Sequence, residues 1–168
     1  MVFTAKKILA TAAILSVAAC SSQQKDVNGT VGGETNPMVK EQVQSNLLSP
    51  NSIAYFNQEI GSKVYFGYDQ YTLTAEAQSN LAAQAAWLKQ YAPNQSITVE
   101  GHCDERGTRE YNLGLGARRA ASVRSFLISQ GLQPTQVKTI SFGKERPEVS
   151  SSDAVSWAKN RRSVTVVN

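Results

Sequence analysis

SITVEGHCDERGTREYNLGLGARRAASVRSFLISQG, residues 96–131, changes from a two-residue to a helical periodicity within one short loop, and that change decides the fold. Up to Cys103 the side chains alternate: Ile97, Val99, Gly101 and Cys103 face one side of a strand, and Thr98, Glu100 and His102 face the other. From about Thr108 apolar positions recur at helical spacing as far as Gln130, and Gly131 offers a C-terminal cap. With about 100° per residue, Gly116, Ala120, Val123 and Leu127 form one stripe roughly 40° wide. Arg119 falls about 60° from Gly116, on the buried flank, and Arg118 falls on the solvated side. Asn112, one heptad before Arg119, shares its face.

Working outward, KVYF (63–66) is β-rich, and Thr74 caps a helix to about Tyr91 with Leu73, Ala77, Leu81, Ala85 and Leu88 on one face. Pro93 and Asn94 stop that helix. KTISF (138–142) reads as a third strand, DAVSWAKN (153–160) as a short helix and RRSVTVV (161–167) as a last strand. The order β-α-β-α-β-α-β predicts an α/β (α+β) sandwich, with helices packed on a small mixed sheet.

An arginine on the core side needs a partner, because an unpaired buried charge costs several kcal/mol. Asp104, at the end of the strand leading into the helix, is the nearest candidate by topology. Two readings follow. Asp104 and Arg119 form a salt bridge that clips strand to helix, or they are the two prongs of a pocket, a carboxylate for an ammonium and a guanidinium for a carboxylate.

Other chemistry fares less well. His102 and Cys103 are adjacent, so they point to opposite faces and cannot form a nucleophile–base dyad. Cys103 is expected to pack in the core, and His102 to lie on the open side of the sheet or at the loop edge. One histidine and one core-facing thiol lack the ligand number for zinc, and no metal or other cofactor is expected. A hydrolase would need a nucleophile, a base and an oxyanion donor to converge, and none do, so no enzyme is expected. The formal charge of +4, from 17 basic and 13 acidic residues, is too small and too dispersed for a nucleic-acid reader.

Lys6 and Lys7 precede the apolar run ILATAAILSVAA (8–19), which ends in small residues at Cys20. This is the layout of an export signal, too short to span a membrane. VAAC (17–20) has the lipobox pattern of bacterial lipoproteins, in which the cysteine is acylated after cleavage. Each buried methylene contributes about 0.8 kcal/mol, so several chains on Cys20 anchor the protein durably. Ser21, rather than an aspartate, follows the cysteine and points to the outer membrane. With Cys20 acylated, Cys103 is the only free thiol and no internal disulfide forms. Residues 20–52, rich in Ser, Gln, Asn and Gly, read as a tether, about 100 Å at full extension and about 30 Å as a coil. The expected organisation is a signal peptide (1–19), a lipid-anchored tether (20–52) and one folded domain (53–168).

GHCDERGTREYNLGLGARRA (101–120), followed by GKERPEV (143–149) and AKNRRSV (158–164), closely resembles the signature of OmpA-like peptidoglycan-binding domains. VYFGYDQYTL (64–73), the DERGT loop and the lipobox narrow the resemblance to the lipid-anchored members of that family. It implies non-covalent binding, without catalysis, of the diaminopimelate of peptidoglycan stem peptides. By motif matching it places Asp104 and Arg119 in the pocket, Tyr68 and Asp69 at its rim, Asn112 nearby and Arg161 beside them. It also implies docking to periplasmic Tol proteins, chiefly TolB, a domain that faces the periplasm, and a part in envelope constriction during cell division. The sequence departs from the pattern at Cys103, where alanine or threonine is usual, at Tyr68 for phenylalanine and at Ala117 for glutamate.

Overall fold

Residues 48–168 are described by the computed structural model; the expected signal (1–19), Cys20 and most of the tether lie outside them. Chain order is α1 (Ile53–Tyr55), a π turn (Phe56–Gly61), β1 (Lys63–Tyr65), α2 (Ala75–Tyr91), β2 (Ile97–His102), α3 (Arg109–Ser129), β3 (Val137–Gly143), α4 (Ala154–Asn160) and β4 (Arg162–Val167). The strands form one sheet in the order β1-β4-β2-β3, with β4 antiparallel to both neighbours and β2 parallel to β3. This is the expected mixed sheet with helices packed against it.

Each helix starts where its sequence offers a side-chain oxygen. Thr74 Oγ1 accepts from Ala77 N at 3.1 Å, Thr108 Oγ1 from Tyr111 N at 3.2 Å, and Asp153 from Val155 N and Ser156 N. Gly131, at φ 99°, ends α3 in the left-handed conformation: its N–H donates to Ile128 O and that of Leu132 to Leu127 O.

Leu81, Leu88, Ile97, Val99, Val123 and Leu127, all fully buried, form the centre of the core between α2, α3 and the sheet. Trp87 packs its ring 4.8 Å from Phe56, and its Nε1–H donates to Pro50 O at 2.7 Å. The packed part of the chain therefore already includes Pro50, ahead of the expected boundary at residue 53. Gln84, inside the apolar stripe of α2, is fully buried; its amide donates to Gly61 O and Asn80 Oδ1 and accepts from Thr165 Oγ1, each at 2.7 Å. All its main hydrogen-bonding capacity is used, which is what lets a polar group sit there.

Gly101 on β2 and Gly116 on α3 meet backbone to backbone. A Cβ at Gly101 would collide with the Gly116 carbonyl, and one at Gly116 with Ser141 Oγ. This close approach brings α3 down onto the end of β2.

Candidate functional site

The loop between β2 and α3, the turn after β1 and the α4–β4 junction meet around a cavity of about 150 Å³. All six expected pocket residues, Tyr68, Asp69, Asp104, Asn112, Arg119 and Arg161, line it, joined by Cys103, Arg106, Tyr111 and Leu115 among others.

Arg119 is fully buried, as the helix geometry predicts, but its partner is not Asp104. Its Nε donates to Gln70 O at 2.8 Å, Nη2 to Gly67 O at 3.1 Å, and Nη1 to His102 O at 2.8 Å and to Cys103 Sγ at 3.5 Å. Of the two readings of the sequence, the Asp104–Arg119 salt bridge is thus absent among the described residues. Backbone carbonyls replace it because the β1–α2 loop turns back over the helix, which nothing local in residues 104–119 encodes. Gly67 and Gln70 are the two ends of a tight turn, Gln70 N donating to Gly67 O at 3.3 Å, with Tyr68 and Asp69 at its centre. Asp69 has φ 55°, the left-handed conformation that the third position of such a turn requires and that aspartate tolerates. By holding both flanking carbonyls, Arg119 fixes the rim on which Tyr68 and Asp69 stand. Four of its five N–H groups are occupied in this way, and the fifth, on Nη2, has no partner among the described residues.

Asp104 is instead surrounded by the other two arginines. Arg106 Nη2 lies 2.6 Å and Arg161 Nη1 3.3 Å from Oδ2; Arg106 Nε at 3.2 Å and its backbone N–H at 3.1 Å point at Oδ1. Burial pushes the Asp104 carboxyl up, but the hydrogen bonds from Arg106 and Arg161 together outweigh it and hold the pKa below the usual carboxylate value. Arg161 is itself fixed by Nε donating to Phe66 O at 3.0 Å. Asn112 is buried and donates to Arg106 O at 2.8 Å and Thr108 O at 3.0 Å, so it shapes the loop from below. Tyr111 donates its hydroxyl to Asp69, tying the helix to the turn.

Cys103 is buried on the helix side, donating to Asn112 O at 3.3 Å, and burial raises its pKa, so it is a packed thiol and not a nucleophile. His102 points away from it, as alternation requires, yet it is only 2% exposed rather than open. Phe142 stacks on its ring at 5.4 Å, and the segment after β3 folds over the pair, with the Arg146 guanidinium 3.8 Å from the Phe142 ring. A long-range loop supplies that cover, so strand alternation could not reveal it.

Arg106 and Tyr111 are the pocket residues that a spacing argument passes over. Arg106 sits in a loop with no periodicity to orient it, and its guanidinium lies 4.2 Å from both the Tyr68 and Trp157 rings. The only local cue is Gly107, whose φ of 91° turns the loop back on itself.

Residues 65–161 match the OmpA family. The chain is 43% identical, over 96% of its own length and 90% of the relative's, to a protein of Mesorhizobium japonicum named peptidoglycan-associated lipoprotein. It is 52% identical to one of the same name from Agrobacterium fabrum, over 71% of this chain and 67% of that one. The crystal structure of the peptidoglycan-associated lipoprotein from Burkholderia pseudomallei superposes with a TM-score of 0.65 at 37% identity, covering 71% of this chain and all of that one. Neither relative bears the name of an enzyme. The fold, the pocket-lining motifs and these similarities agree: the chain belongs to the OmpA family, among its peptidoglycan-associated lipoproteins.

Proposed function

We propose that this chain ties the outer membrane to the cell wall by binding peptidoglycan stem peptides non-covalently in the Asp104 pocket. The observation that carries the reading is a buried carboxylate flanked by arginines in a cavity the size of an amino-acid head group. The ammonium and carboxylate of a diaminopimelate head group are complementary to that set: Asp104 takes the ammonium, and Arg161 with the remaining N–H of Arg119 takes the carboxylate. Tyr68, Asp69 and Asn112 give the walls and the rim. Relatives named peptidoglycan-associated lipoprotein support the wall as the target.

In this proposal Cys20 carries the lipid anchor in the outer membrane, residues 20–52 are the tether, and the folded part beyond them works in the periplasm. TolB and the other Tol proteins are the protein partners, in a system that keeps the envelope together during division. The support for these points is the lipobox and the motif resemblance.

Retention on purified sacculi, measured beside release of muropeptides, tests the function. Retention without release is expected for the natural sequence. Asp104→Asn removes a charge-assisted contact of about 1.5–3 kcal/mol and is expected to weaken retention about tenfold or more. A folded Asp104→Asn protein that binds sacculi normally would overturn the pocket assignment, and release of muropeptides would overturn binding without catalysis.

A further inference from the structure

Both oxygens of Asp104 are already saturated by the chain itself. Oδ1 accepts the Arg106 backbone N–H and Nε, and Oδ2 accepts Arg106 Nη2 and Arg161 Nη1. A carboxylate offers about four acceptor positions, so an incoming ammonium finds none vacant. One of the two guanidinium groups must leave, and their surroundings differ. Arg161 is 16% exposed, and its Nε is held by Phe66 O at 3.0 Å. Arg106 is 34% exposed, and among the described residues its guanidinium has no hydrogen-bond partner other than Asp104.

Resting on the reading that Asp104 receives a ligand's ammonium, we infer that Arg106 is a built-in competitor which occupies the ammonium's place and is exchanged for it on binding. The loop is constructed for that exchange to involve one side chain only. Its backbone is fixed by Asn112 Nδ2 on Arg106 O at 2.8 Å and by Lys144 Nζ on Glu105 O at 3.1 Å and Gly107 O at 2.8 Å. The displaced guanidinium has a place to stay, because it already lies 4.2 Å from both the Tyr68 and Trp157 ring centres. Trp157 is in turn fixed by Nε1 donating to Glu105 Oε1 at 2.9 Å.

The exchange sets specificity. A cationic ligand replaces one positive charge at Asp104 with another. A ligand whose amine is blocked would leave a buried carboxylate short of its partner, which opposes binding. Arg106 is thus a specificity-determining residue that lowers affinity for every ligand while rejecting neutral ones more strongly.

The test uses the full chain in detergent micelles, a diaminopimelate-containing stem peptide, and the same peptide with its side-chain amine acetylated. Arg106→Gln is expected to bind the free-amine peptide about threefold tighter or more, as removal of one partly exposed competing pair allows. In the natural sequence, adding that peptide to saturation is expected to expose the Arg106 Nε–H to rapid exchange in NMR spectra and leave that of Arg161 protected. The acetylated peptide is expected to leave both Nε–H groups protected. Weaker binding by Arg106→Gln, or an Arg106 Nε–H still protected in the saturated complex, would overturn the exchange; the NMR measurement needs no variant and stands even if Arg106→Gln misfolds. Binding of the free-amine peptide with Arg106 unmoved would sink this inference alone, and absence of peptide binding by the natural sequence would sink the pocket reading with it.

Discussion

The two ends of β2 are buried by opposite means. At its start, Ile97 lies fully buried in an apolar cluster with Leu127, Leu132, Val137 and Val167. At its end, Cys103 and Asp104 are nearly as deeply buried, but among guanidinium groups, backbone carbonyls and a carboxylate, with His102 stacked on Phe142 on the other face. Apolar burial is non-directional, and the surroundings relax partly around a truncated side chain. Polar burial depends on specific partners, and removing one strands the rest. The same strand therefore carries a tolerant end, which holds the fold, and an exacting end, which shapes the pocket.

The largest effect is expected at the exacting end. Arg119→Ala strands the carbonyls of Gly67, Gln70 and His102 and is expected to cost about 3–5 kcal/mol in urea unfolding. Arg119→Lys should recover only part, because an ammonium cannot match the planar fork. Wild-type stability in Arg119→Ala would remove the contrast altogether. Leu127→Ala, at the tolerant end, is expected to cost about 2–4 kcal/mol and leave sacculus binding per folded molecule unchanged. A loss of binding in the folded Leu127→Ala protein would show that the two ends are not independent.

A third measurement separates the ends by pH. Burial, and then the nearby Arg162, hold the His102 pKa below its ordinary 6.5, against Glu100, which raises it. Above 6.5 the ring is neutral in both states and contributes no slope. Below it the unfolded chain takes up a proton that the folded chain resists, so stability falls as pH drops. The melting temperature is expected to decline between pH 7 and pH 5, and His102→Gln to flatten that decline. Asp104 adds nothing in this window: its folded pKa is depressed, so its stabilisation is complete above 3.8 and is lost only below that value. The smallest effect is expected at Arg118, which is exposed and rests over the Tyr71 and Tyr111 rings at 5.5 and 5.9 Å. Arg118→Ala should change stability by less than about 0.5 kcal/mol, by the same unfolding assay.

Periodicity made the four strands, the three long-range helices α2, α3 and α4, and the inward turn of Arg119 legible, because those depend on which face of one element is apolar. It also placed Cys103 on the helix side. It missed Gln84 and His102, since each is buried by partners far away in sequence, Thr165 and Gly61 in one case and Phe142 with Arg146 in the other. The motif resemblance brought six residues to one pocket, but neither it nor the helix geometry assigned the ion pairs within that pocket.

What the sequence alone determined is the order of elements, the helix cap at Thr74, and the side on which each residue of β2 and α3 faces. These follow from local backbone geometry and from hydrogen bonds that span a few residues. What only the tertiary structure decided is that Arg119 grips the Gly67–Gln70 turn while Arg106 and Arg161 take Asp104. The physical reason is that a guanidinium donates to carbonyls and carboxylates alike, so its choice of partner is set by which of them the long-range packing brings within about 3 Å.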